Sequence, residues 1–306
     1  MRRRRPLARR SPMPGHPTLQ SLPRPVAFVL SGGSSLAALQ VGQARALMDC
    51  GLVPDMLVGT SAGALNCSWL GQGWTSERLQ GLEHVWRDMR FHHVFGRHPL
   101  LGTLRLLAGG TAMVSNRRLA RMADQWLPED QGSLPVKTIL VAADLLHGTP
   151  VPLATGKLRR NVLAASALPG VLPPVEIDGR LLVDGGIAEN VPMLQAARAG
   201  AMTLIVLDAS YPCQLDRLPD GVIERTILVI NHTLASQVLG TLAMVPSDRT
   251  VLYLPGPCPL DVGPGQFDQG PRLMRLGYDT ALPFLQTTEI GGPGIYGDPL
   301  FYHRRP

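Results

Sequence analysis

Apolar and polar positions fall into short alternating blocks along residues 26–70, VAFVLSGGSSLAALQVGQARALMDCGLVPDMLVGTSAGALNCSWL. An apolar run comes first, then a Gly/Ser loop. Residues 38–50 offer Leu39, Ala46 and Leu47 to one buried helix face, and Gly51 closes that segment. Pro54 introduces a second apolar run at residues 56–58, followed by GTSAG and a small-residue run at 62–65. The pattern predicts strand, loop, helix, strand, sharp turn, helix.

Downstream, Ser76 is expected to cap a helix whose Leu79, Leu82, Val85, Trp86 and Met89 recur at helical spacing, a stripe that core packing explains. Residues 91–115 are apolar, broken by glycine and poorly periodic; they read either as core or as a mobile lid over a site. Residues 116–126 predict a helix, 137–143 a buried strand, 151–154 its neighbour and 158–168 a helix. A short strand at 180–183 leads to Asp184, Gly185 and Gly186; a helix at 194–199 and an inner strand at 202–207 follow. The Gly/Pro-dense residues 255–271 are expected to wrap the surface, and 272–285 to close the fold as a helix. Strands alternating with helices predict an α/β fold, a mostly parallel central sheet with helices on both faces.

Ser61 sits at the centre of GTSAG, a G-x-S-x-G pentapeptide between a strand and a helix, the context of a nucleophile elbow. A serine held in a strained turn needs neighbours with little side chain, here Gly59 and Gly63. The helix behind it directs unpaired N–H groups at charge that develops nearby. Small-residue turns between strands and helices are also common, so the pentapeptide alone does not decide the matter.

Composition changes the picture in one respect. The formal charge is +6, and Arg2, Arg3, Arg4, Arg5, Arg9 and Arg10 account for all of it, leaving a neutral body behind a basic tail. Residues 1–24 read as a disordered Arg/Pro-rich tail, residues 25–200 as the core, and residues 201–306 as the C-terminal part of the same domain. The tail suits peripheral contact with anionic lipid headgroups; no specific nucleic acid is expected. No signal peptide or transmembrane run is recognised, so a cytoplasmic protein is expected. Cys50, Cys67, Cys213 and Cys258 are widely separated, and the histidines form no metal-binding spacing, so neither a metal nor a cofactor is expected.

Three ordered blocks, SGGSSLAALQVG, GTSAG and ASALPGVLPPVEIDGRLLVDGG with the later Asn190 and Pro192, resemble the patatin-like phospholipases over residues 26–200. The resemblance implies a three-layer α/β fold and a lipid acyl hydrolase that works through a Ser-Asp dyad without histidine. Ser61 matches the nucleophile. Asp184, followed by Gly185 and Gly186, matches the catalytic aspartate. The glycine-rich block that supplies oxyanion donors in the family falls on Gly32, Gly33, Ser34 and Ser35. Here Ser34, Leu36 and Ala37 replace the third glycine, the basic residue and the last glycine of the family pattern, and a non-glycine residue resists positive φ. Two rivals stand beside this reading. One is an α/β-hydrolase triad of Ser61, Asp208 and His232, which has the right chain order; the other is an inactive relative that serves as a binding module.

Overall fold

Alternate residues of the central strands enter two different cores. The computed structural model describes residues 17–95, 112–209, 222–297 and 299. In order, its elements are α1 (Pro17–Gln20), β1 (Val26–Leu30), α2 (Ala38–Asp49), β2 (Met56–Thr60), α3 (Ala62–Leu70), α4 (Ser76–Asp88), α5 (Phe91–Phe95) and α6 (Arg117–Trp126). Next come β3 (Lys137–Asp144), β4 (Pro150–Leu153), α7 (Leu158–Ala165), β5 (Val175–Ile177), β6 (Arg180–Asp184), α8 (Gly186–Glu189), α9 (Met193–Arg198) and β7 (Thr203–Leu207). The chain closes with α10 (Val222–Met244), β8 (Thr250–Tyr253), α11 (Gly270–Thr287) and β9 (Gly294–Tyr296).

The strands form one sheet in the order β5-β6-β3-β2-β1-β7-β8-β9, with β4 also on β3. From β3 through β9 the pairs along this path are parallel; β4, β6 and β5 pair antiparallel. Val26, Phe28 and Leu30 pack with α2, α3, α4, α7 and α11, whereas Ala27 and Val29 pack with α9 and α10. Helices thus cover both faces, and β1, apolar at every position, is buried throughout, as a central parallel strand must be.

The helix α4 begins one residue earlier than its sequence suggests: Thr75, not Ser76, is the cap, its side chain accepting from the Arg78 N–H at 3.2 Å. Leu19 and Leu22, within the expected tail, are buried in the larger core; residues 1–16, with the arginine cluster, lie outside the described residues. Residues 201–306 contribute β7, β8 and β9 to the same sheet. No helix among the described residues is long and apolar enough to cross a membrane.

The crossing of α2 and α11 depends on two glycines. A Cβ on Gly42 would fall 1.8 Å from the Met274 carbonyl oxygen, and one on Gly277 would fall 2.1 Å from that of Leu39. Both obstacles are backbone, so neither can swing aside. Gly42→Ala is expected to destabilise the fold by about 2 kcal/mol, read as a lower urea midpoint at unchanged m-value.

Candidate active site

The register of β3 explains how two residues 123 positions apart in sequence reach one place. Thr60 of β2 pairs with Val141, and Asp184 of β6 pairs with Ala142. β4 occupies the opposite edge of β3, pairing with both Val141 and Ala142. The strands β2 and β6 therefore run toward each other along one edge of β3 and meet end to end. Ser61 follows the first, and Asp184 ends the second.

Ser61 occupies the turn into α3 at φ 54°, ψ −123°, a conformation that L-residues rarely take. Its N–H donates to the Ala165 carbonyl at 3.0 Å, and its own carbonyl accepts from the Ser166 hydroxyl at 3.2 Å. Glycines permit the turn. A Cβ on Gly59 would fall 2.6 Å from Cys67 Sγ, and one on Gly63 would fall 2.4 Å from the Leu30 carbonyl oxygen.

Asp184 is buried, and its Oδ1 accepts from the Gly186 N–H at 2.8 Å. Burial pushes its carboxyl up to about 6; the Ser61 hydroxyl and the Gly186 N–H offset part of the rise. The hydroxyl lies close enough to act on the carboxylate, yet Oδ2 completes no hydrogen bond of ordinary geometry.

Both side chains open into a cavity of about 740 Å³. Its walls are mostly apolar, with Leu36, Phe95, Val114, Leu168 and Leu234 among them. Asp184 is the one ionisable side chain among the described residues that line it.

The loop after β1, which carries the four positions expected to bear donors, supplies the polar rim. The Gly32 N–H is taken by the Asn190 carbonyl at 3.2 Å, and that of Ser35 by the Pro264 carbonyl at 3.3 Å. The N–H groups of Gly33 and Ser34 meet no acceptor among the described residues, and both residues line the cavity. Ser34 does adopt positive φ, 52°, at a cost of about 1–2 kcal/mol for a non-glycine residue. A buried polar chain anchors the start of this loop: Trp86 Nε1 donates to Asn66 Oδ1, Asn66 Nδ2 to Gln40 Oε1, and Gln40 Nε2 to the Ser31 carbonyl at 2.8 Å.

Residues 255–271 do not merely wrap the surface. The Gly263 carbonyl accepts from the Ser35 hydroxyl, and Pro264 and Gly265 line the cavity. No motif marks them, and their contact spans 228 positions. The triad alternative is not assembled: Asp208 is buried under the Tyr253 hydroxyl, His232 is exposed on α10, and neither lines the cavity. Of the proposed lid, Phe91, Phe95, Met113 and Val114 face the cavity, while residues 96–111 lie outside the described residues.

The sequence profile of the patatin-like phospholipase family matches residues 28–197. Patatin-like phospholipase domain-containing protein 7 of Rattus norvegicus is 30% identical over 197 residues, covering 62% of this chain and 14% of that protein. An uncharacterised NTE family protein of Mycobacterium tuberculosis is 31% identical over 185 residues, covering 59% of this chain and 48% of that protein. The chain thus spans less than half the length of each of these relatives. Among solved structures, VipD from Legionella pneumophila aligns over 93% of this chain and 71% of its own at 14% identity, with a TM-score of 0.44.

Proposed function

The chain belongs to the patatin-like phospholipase family, and on that premise we propose that it hydrolyses lipid acyl esters through Ser61 and Asp184. The observation that carries this reading is the pairing of Ser61 with the one ionisable side chain among the described residues of an apolar cavity. Asp184 takes the serine proton as Oγ attacks the ester carbonyl, and the tetrahedral oxyanion is held by the N–H groups of Gly33 and Ser34. The proton passes to the departing alcohol oxygen. Water then attacks the acyl-serine, giving its proton to Asp184, and the fatty acid leaves as Ser61 is reprotonated.

Apolar walls receive the acyl chain and exclude water, which strengthens the few polar contacts at the reacting centre. The base must be ionised, so kcat/KM is expected to rise with pH through about 6, where burial holds the Asp184 carboxyl. Incubating the purified protein with a panel of p-nitrophenyl acyl esters and a fluorophosphonate probe tests the assignment. Turnover with the label mapped to Ser61 supports it; label on another serine, or neither turnover nor label, refutes it.

Ser34 already stands at positive φ, and its N–H meets no acceptor among the described residues. Ser34→Gly is therefore expected to change kcat by less than about threefold, because no donor is recovered. Ser34→Val is expected to lower kcat by about 10²-fold, since a β-branched residue resists this conformation and the loop must give. Comparing kcat and KM of the two variants checks both statements.

A further inference from the structure

The four-residue helix α8 is too short to hold itself, yet it carries the Gly186 N–H that fixes Asp184 Oδ1. In an uninterrupted helix the Asn190 N–H would donate to the Gly186 carbonyl, four residues back. Here it donates instead to Gln237 Oε1, at 2.7 Å. Gln237 Nε2 faces the carbonyls left over, those of Gly186 and Ile187, at 3.4 Å each, long and correspondingly weak contacts. One carboxamide from α10 has been inserted into the backbone ladder of α8. With its N–H engaged there, Asn190 turns its carbonyl to the Gly32 N–H. The same side chain thus touches the turn beside Asp184 and, through Asn190, the loop that bears Gly33 and Ser34.

Gln237 lies outside the segment that the family profile matches. It stands on a helical stripe, with Ile230, Thr233 and Leu234, that forms one wall of the cavity. We propose that Gln237 is a positioning residue for the ester hydrolysis proposed above, on which this inference rests: it holds residues 186–190 so that Asp184 faces Ser61 and Asn190 anchors the Gly32 loop.

Other ionisable groups near α8 are turned elsewhere. Glu189 accepts from the Leu194 N–H and Gln195 Nε2, Asp144 accepts from the Leu146 and His147 N–H groups, and Lys137 donates to the Ala199 carbonyl. Arg180, Arg225 and His232 are exposed. None of these lines the cavity, so the acid limb of the rate profile reports Asp184.

The experiment compares wild type, Gln237→Leu and Gln237→Glu by steady-state kinetics across pH and by hydrogen–deuterium exchange. Gln237→Leu removes both the donor and the acceptor. It is expected to lower kcat by about 10- to 100-fold, to move the acid limb to higher pH as the Gly186 bond to Asp184 loosens, and to speed exchange in residues 184–191. Gln237→Glu keeps an acceptor for Asn190, so exchange should stay closer to wild type while the limb still moves up; it carries the test should Gln237→Leu fail to fold. Unchanged exchange in Gln237→Leu, or a lower kcat with an unmoved acid limb in either variant, would overturn the positioning role. An inactive wild type would overturn the hydrolase reading itself, and it is seen before any variant is compared.

Discussion

Ser61→Ala and Asp184→Asn are each expected to lower ester hydrolysis by about 10⁴-fold or more, and yet to differ in stability. The buried Asp184 carboxyl titrates near 6 in the folded chain against an ordinary value of 3.8. A group raised in this way contributes stability fully below the lower value, and the contribution is lost as pH rises through about 6. At pH 8 the ionised side chain thus weighs against folding by up to about 3 kcal/mol. Asparagine keeps an oxygen for the Gly186 N–H and carries no charge. Asp184→Asn should therefore be inactive and about 1–3 kcal/mol more stable than wild type at pH 8, with the gain shrinking toward pH 4. Ser61→Ala keeps the buried carboxylate and loses the hydroxyl that tempers it, so no such gain is expected. Thermal unfolding of the three proteins at the two pH values is the check. An asparagine variant less stable than wild type at pH 8 would show that the carboxylate does not burden the fold.

Gly63→Ala is expected to damage fold and turnover together. The added methyl would fall 2.4 Å and 2.5 Å from the carbonyl oxygens of Leu30 and Ser31, which are backbone atoms at the end of a central strand. Neither can yield without moving β1, so the first turn of α3 must shift, and Ser61 with it. A loss of about 3 kcal/mol and of about 10²-fold in kcat is expected, measured by urea denaturation and ester kinetics. Gly240→Ala is the control. Its methyl meets nothing within 4 Å on α10 and should stabilise by up to about 1 kcal/mol through helix propensity.

The strand-loop-helix-strand-turn-helix order of residues 26–70 is legible in the sequence because its apolar runs are bounded by glycine and proline, and the structure places β1, α2, β2 and α3 there. Ser61 and Asp184 are each conspicuous in the sequence by their neighbouring glycines, and both line one cavity. Their meeting was not legible: it depends on β6 running antiparallel along the same edge of β3, over the stretch beyond the end of β2, and register is a tertiary property. The helix α10 gave no clear signal. Its VIERTILVINHTLASQVLGTLAM is rich in β-branched residues and apolar on several sides, so neither period dominates. Gln237 and Pro264 were invisible for a different reason, since each acts through backbone atoms that no motif records. Ser34 marks the limit of propensity: a serine was expected to resist positive φ, and its surroundings impose it.

The position of β1 bears on how this architecture can be cut and recombined. It lies between β2 and β7, and residues 28–197, the family-matched segment, contain the first partner but not the second. A chimaera joined after residue 197 would strip away β7, β8 and β9 and turn the most apolar interior strand into an open edge, ready to pair with another chain. Such a graft would also leave behind the cavity wall formed by α10. The smallest exchangeable unit therefore extends at least through β8, and crossover points suited to domain shuffling lie beyond it.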